Sequence, residues 1–90
     1  MKILIVDDER AIRNSLKEVL GDEGYEVEVA EDGATALSMV DKEKYGVIFC
    51  DIKMPGMDGT EVLDKLVKDG EEAAVVMMSG HSDIDTAVEC

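Results

Sequence analysis

Val47-Ile48-Phe49-Cys50-Asp51-Ile52-Lys53-Met54-Pro55-Gly56-Met57-Asp58-Gly59 is the stretch that decides how the chain is read. Four apolar residues lead to one carboxylate, and directly after it come the only proline of the chain, two glycines and a second aspartate. An apolar run followed by turn chemistry spells a buried strand that delivers Asp51 to a loop. A single acidic residue there is ambiguous, because most carboxylates lie on solvated surface. What the other strands bring to the same edge settles its meaning.

Upstream, Lys2 to Val6 carries an unbroken apolar run from Ile3, too short for a helix and lacking polar alternation, which suits a strand covered on both faces. It ends in Asp7-Asp8-Glu9. From Arg10 the period changes, and Ile12, Leu16, Val19 and Leu20 form one helical stripe, with Gly21 and Gly24 as the stop. Tyr25 to Ala30 alternates apolar with acidic residues and reads as a half-exposed strand near a sheet edge. Glu31-Asp32-Gly33 reads as a turn, and Ala34, Leu37 and Val40 with Ala36 beside them as a short amphipathic helix fading into Asp41 to Lys44. The opening stretch then supplies a third strand, Tyr45 to Asp51.

Downstream, Asp58 stands where it can accept hydrogen bonds from free N–H groups, and Val62, Leu63, Leu66 and Val67 mark a third helix as far as Lys68. Asp69 to Glu72 is the exit turn. Ala73 to Met78 is another apolar strand, ending in Ser79-Gly80-His81, and Ser82-Asp83-Ile84-Asp85 fits a capping box that opens a fourth helix. Strands alternating with helices imply an α/β fold, a doubly wound parallel sheet with right-handed crossovers and helices on both faces. Ninety residues allow one such domain, 1–90, and no second.

The formal charge of -13, from 22 acidic against 9 basic residues, opposes binding to nucleic acid or anionic lipid and favours a cation or a basic protein partner. No apolar run approaches the ~20 residues of a membrane span, and the N-terminal run is too short for a signal peptide, so a soluble, cytoplasmic protein is expected. Cys50 lies inside an apolar strand and Cys90 is the last residue, a placement that suits neither a zinc site nor a disulfide framework.

Ligands of doubly wound sheets bind beyond the carboxyl ends of the strands. Asp7 and Asp8 end the first strand, Asp51 the third and Ser79 the fourth, so three carboxylates and a hydroxyl converge on one edge. A fold keeps such a cluster when a bound cation offsets the repulsion, and an all-oxygen set on loops suits Mg²⁺ or Mn²⁺. His81 has no second imidazole or thiolate at ligand spacing and lines the mouth of the site. Mg²⁺ beside a lone carboxylate makes phosphoryl transfer the natural chemistry, with Asp51 as nucleophile forming an aspartyl phosphate and Ser79 placed to hydrogen bond a phosphoryl oxygen.

Asp7-Asp8, the run Asp51-x-x-Met54-Pro55-x-Met57-Asp58-Gly59 and Met78-Ser79-Gly80-His81 together resemble the receiver domain of two-component response regulators along the whole chain. The resemblance implies a flavodoxin-like strand order, 2-1-3-4-5 in the complete domain, and phosphorylation of Asp51 by a sensor histidine kinase. It implies Mg²⁺ held by Asp8, Asp51 and the backbone carbonyl of Lys53, with Asp7 assisting largely through water. Ser79 would be a switch hydroxyl that relays the phosphoryl signal through the fourth helix to an output domain or partner, DNA-binding in a transcription regulator, while the Lys53 and His81 side chains would flank the site and modulate the rate of phosphoryl loss. The Ser79 to Asp83 segment is also similar to receivers of nitrogen-regulation-type activators of sigma-54-dependent transcription.

A complete receiver continues into a fifth strand carrying a lysine, then a fifth helix, and this chain stops before them, so we read it as an excerpt with order 2-1-3-4. The fourth strand would then be an unprotected apolar edge, which makes a dimer or strand exchange through it an alternative, with the chain as a non-phosphorylatable pseudo-receiver or assembly module. A haloacid-dehalogenase-type phosphatase also uses a strand-end aspartate and Mg²⁺, but places a second Asp two residues later, where this chain has Lys53. A flavodoxin-like cofactor protein is disfavoured by the lack of a hydroxyl-rich phosphate loop. Self-phosphorylation and self-dephosphorylation of Asp51 are the most that enzymatic activity would amount to.

Overall fold

Lys2–Val6 forms strand β1, and its apolar residues Ile3 to Val6 take the middle of a parallel sheet, because an unbroken apolar run needs cover on both faces. In the computed structural model, which describes residues 1–54 and 56–78, the elements follow in the order β1, α1 (Arg10–Asp22), β2 (Glu26–Ala30), α2 (Gly33–Lys42), β3 (Val47–Asp51), α3 (Gly59–Lys68) and β4 (Ala74–Met78). The readings that fall on Ser79, His81 and the helix opened at Ser82 lie outside the described residues. The sheet order is β2-β1-β3-β4 with every pair parallel, the flavodoxin-like arrangement expected.

Strand register aligns the acidic ends of β1 and β3. Val6 pairs with Ala30 on one side and Cys50 on the other, and Asp51 pairs with Met78. The residue after Val6 therefore reaches the sheet edge level with the residue after Cys50, which brings Asp7 alongside Asp51.

Alternation along β1 and β3 divides the core between two faces. Leu4, Val6, Ile48 and Cys50 are buried in one cluster with Ala36 of α2, Val62 and Leu66 of α3 and Met77 of β4. Ile3 and Ile5 are buried on the opposite face, where α1 packs on β1 and β2.

Several boundaries differ from the sequence reading. Helix α1 contains no fully buried residue, and Val19 is 60% exposed although it belongs to the expected stripe. Each step of four residues advances about 40° around a helix axis, so the half-buried line Ile12, Leu16, Leu20 drifts and leaves Val19 facing outward. Val67 is exposed for the same reason, while Val62 and Leu66 are buried. Ala34 is exposed and Ala36 carries the α2 contact.

Asp32, read as part of a turn, is the N-cap of α2, its side chain accepting from the Thr35 N–H at 2.7 Å. Tyr25 precedes β2 because its N–H closes the end of α1 on the Leu20 carbonyl, with Gly24 at φ +93° supplying the left-handed residue. Tyr45 precedes β3, buried, and its hydroxyl donates to Glu28 at 2.6 Å. Lys2 joins this cluster at the amino-terminal end of the sheet, with its Nζ 2.9 Å from Glu43 and 3.4 Å from Glu28.

Candidate functional site

Three carboxylates meet at the carboxyl ends of β1 and β3. Asp7 and Asp51 are 2% and 3% exposed, Asp8 faces solvent, and one carboxylate oxygen of each lies within 4.8 Å of the other two. Two unit charges at that separation repel by about 3.5 kcal/mol at an effective dielectric of 20. A fold that buries two of the three gains nothing structural from doing so, and a cation between them reverses the sign of the interaction.

The two buried members differ in how they are held. The Asp7 N–H donates to the Ala30 carbonyl at 3.1 Å, continuing the β1–β2 ladder past its last pair. Its Oδ1 accepts from the Glu9 N–H at 2.9 Å, and its carbonyl accepts from Nη1 of Arg13 at 2.8 Å. Asp51 is less engaged: its Oδ1 is buried and has no hydrogen-bond partner among the described residues. An orphaned buried acceptor is rare in folded proteins and is costly unless a ligand satisfies it.

Burial pushes the Asp51 carboxyl up from the ordinary 3.8 to about 6, the charge of Asp7 adds to the shift, and the backbone N–H of Lys53 opposes it. Asp7 is also raised, first by burial, with its bond to the Glu9 N–H pulling the other way. Both directions describe carboxylates short of positive charge. Only oxygen ligands are offered, which fits Mg²⁺ or Mn²⁺ and not a thiolate- or imidazole-preferring metal. The acidic cluster can therefore hold a hard cation.

The run after Asp51 is explained residue by residue. Met54 is buried and pins the loop into the core. Gly56 takes φ +81°, which an L side chain resists. Asp58 caps α3, its Oδ1 accepting from the Glu61 N–H at 3.0 Å and from the Thr60 hydroxyl at 2.6 Å. Gly59 packs its Cα on the backbone of Asp51: a Cβ there would collide with the Asp51 carbonyl oxygen and stand 2.8 Å from the Ile52 Cα. The Gly59 N–H closes the loop on the Ile52 carbonyl at 2.8 Å, and the Ile52 N–H donates to Met78 at 2.8 Å. These contacts fix the end of β3, and Asp51 with it.

Of the residues singled out in the sequence, Asp7, Asp8 and Asp51 come together. The Lys53 side chain is exposed, and its backbone N–H is the part that acts on Asp51. Cys50 is buried and its thiol is pushed up to about 12, chiefly by burial, so it is inert packing as expected. Arg13 was not singled out; the available signal was two basic residues, Arg10 and Arg13, in the first turns of the helix after an acidic pair.

Residues 3–90 match the response regulator receiver domain family. Sporulation initiation phosphotransferase F of Bacillus subtilis is 41% identical over 88 residues, 98% of this chain and 71% of that protein. The structure of response regulator protein TrrA from Thermotoga maritima in complex with Mg(2+)-BeF is similar at 39% identity and a TM-score of 0.81, over 94% of this chain and 77% of that one. NtrX from Brucella abortus is 41% identical with a TM-score of 0.85, over 98% of this chain and 20% of that one. With the fold, the acidic strand edge and the matched length in agreement, the chain belongs to the response regulator receiver domain family, whose general role is that of phosphoacceptor in two-component signalling.

Proposed function

We propose that Asp51 is the phosphoacceptor of this receiver and that Asp7, Asp8 and Asp51, with the backbone carbonyl of Lys53, hold Mg²⁺, or Mn²⁺ in its place. The buried, unpartnered Oδ1 of Asp51 carries this reading. No described residue donates a hydrogen bond to it, and an Asp51 carboxylate oxygen lies within 4.8 Å of an oxygen of Asp7 and one of Asp8. A pKa of about 6 leaves Asp51 ionised at neutral pH while making it more basic than an ordinary aspartate.

A carboxylate oxygen of Asp51 attacks the phosphorus of a phosphoimidazole on a sensor histidine kinase. A P–O bond forms, the P–N bond breaks, and the imidazole leaves with the electron pair and takes up a proton. Bound Mg²⁺ supplies charge neutralisation for the phosphoryl oxygens. Asp7 fixes the geometry, since its backbone and side chain are already bonded to three other residues. Asp8, on the solvent side, would complete the ligand set from the exposed face.

Relay through Ser79 to an output domain, rate modulation by His81 and Lys53, action in the cytoplasm and regulation of transcription belong to the same proposal. The TrrA complex with Mg(2+)-BeF supports the metal. Among the described residues no helix is long and apolar enough to cross a membrane. Pairing of two copies along β4 is a further proposal, and a monomer in light scattering would remove it.

Incubation with a small phosphodonor and Mg²⁺ tests the central reading by intact mass. Gain of one phosphoryl group, absent in Asp51→Asn and absent in EDTA, is the expected result. Equal gain in Asp51→Asn would move the acceptor elsewhere.

A further inference from the structure

We infer that Arg13 is a positioning residue for the metal-binding carboxylates, acting through the backbone of Asp7. The inference rests on the proposal that Asp7, Asp8 and Asp51 bind Mg²⁺. Arg13 lies in the first turns of α1, half-buried, and its side chain turns back across the β1–α1 connection to donate from Nη1 to the Asp7 carbonyl at 2.8 Å. Its own N–H donates to the Glu9 carbonyl at 3.1 Å, so one residue both opens the helix and clamps the strand end.

Helix α1 has no side-chain N-cap hydrogen bond, although its N-cap position is Glu9. Two other bonds reach Asp7, one from the Glu9 N–H to its carboxylate and one from its N–H to Ala30. The Glu9 bond closes a turn around the peptide that joins Asp7 to Asp8, and the orientation of that peptide sets where the Asp8 carboxylate points. The bond from Arg13 holds the carbonyl of that same peptide directly. Groups that hold a ligand from behind commonly change metal affinity by 10- to 100-fold when removed.

Charge alone makes the opposite prediction. A guanidinium near three carboxylates repels an incoming Mg²⁺, so its removal by a through-space effect tightens binding. Loss of positioning weakens it. The sign of the change separates the two, and a loss of stability without a role at the site changes neither.

The experiment is a Mg²⁺ titration followed by ¹⁵N–¹H shifts of the Asp7, Asp8 and Ile52 amides in wild type, Arg13→Met, Arg13→Gln and Arg13→Lys, with melting of each in EDTA recorded alongside. Arg13→Met and Arg13→Gln are expected to bind Mg²⁺ roughly 10-fold more weakly, and Arg13→Lys, which keeps a donor on a stem of similar reach, to recover affinity toward wild type. If Arg13→Met fails to fold, Arg13→Gln reads the same sign. Unchanged or tighter binding in the neutral variants, or a lysine variant no better than they are, overturns the inference. Absence of saturable shifts in wild type instead removes the metal site itself, which distinguishes that failure from the failure of Arg13's part in it.

Discussion

Replacing Asp51 with Asn should make the metal-free protein more stable, by an amount the site geometry sets. Burial and the neighbouring Asp7 raise the Asp51 carboxyl from 3.8 to about 6. A difference of 2.2 units at 1.36 kcal/mol each places an upper limit of about 3 kcal/mol on the destabilisation caused by ionising Asp51 in the fold. The folded state holds its proton more tightly than the unfolded state, so stability is highest below pH 3.8 and falls as pH rises to about 6, beyond which the loss is complete. Asn keeps the shape, removes the charge and can donate to Asp7.

For a domain of this size ~2–3 kcal/mol corresponds to a rise in Tm on the order of 10 °C. The assay is thermal melting by circular dichroism in EDTA at pH 5 and pH 7, wild type against Asp51→Asn. Because the destabilisation accumulates between the two pKa values, the gain at pH 5 should be about half the gain at pH 7. Mg²⁺ should narrow the gap by stabilising the wild type, by about 1.4 kcal/mol at ten times its Kd. A gain of equal size at both pH values, or no gain at pH 7, would refute the claim that ionised Asp51 is strained by its surroundings.

Gly59→Ala should lower the urea midpoint with an unchanged m-value, by about 1–3 kcal/mol for overpacking, because the new methyl meets the backbone of Asp51 and Ile52. The helix preference for Ala, at most ~1 kcal/mol, does not compensate, and a variant as stable as wild type would show that α3 can draw back from β3. Tyr45→Phe removes the 2.6 Å bond to Glu28 at the opposite end of the sheet. Glu28 is 37% exposed and can hydrate instead, so the expected loss in a denaturant melt is only about 0.5–1.5 kcal/mol; a loss above roughly 3 kcal/mol would mean that the whole Lys2 cluster depends on that hydroxyl.

The strands and the acidic site were legible because both follow from local pattern plus one topological rule. Apolar runs before Asp7 and Asp51 read as buried strands, and a parallel sheet places strand ends on one edge whatever the loops do. The capping role of Asp58 was legible too, since an aspartate before an apolar helical period has one common use. The equivalent role of Asp32 was not, because Gly33 after it reads as turn chemistry and serves here as the first residue of α2. Val19 and Val67 were misplaced because periodicity locates the middle of a helix face and not its margin. Arg13 and the Lys2, Glu28, Tyr45 cluster were hidden for a different reason: each depends on which polar atom lies across from which, a property of three-dimensional register that charge patterning along the chain does not encode.

The unequal tethering of the carboxylates bears on what binding an ion costs in freedom of movement. Asp7 is bonded through its N–H, its carbonyl and its carboxylate, and the backbone of Asp51 is wedged against Gly59, so both were immobilised when the chain folded. Asp8 alone faces solvent with rotamers still to lose, a loss on the order of 0.5–1.5 kcal/mol for one ordered side chain. The entropy of assembling the site is thus nearly all spent in advance, in the same event that closes the sheet. What remains for the ion is to draw in one exposed carboxylate and to release the electrostatic strain that folding left on the other two.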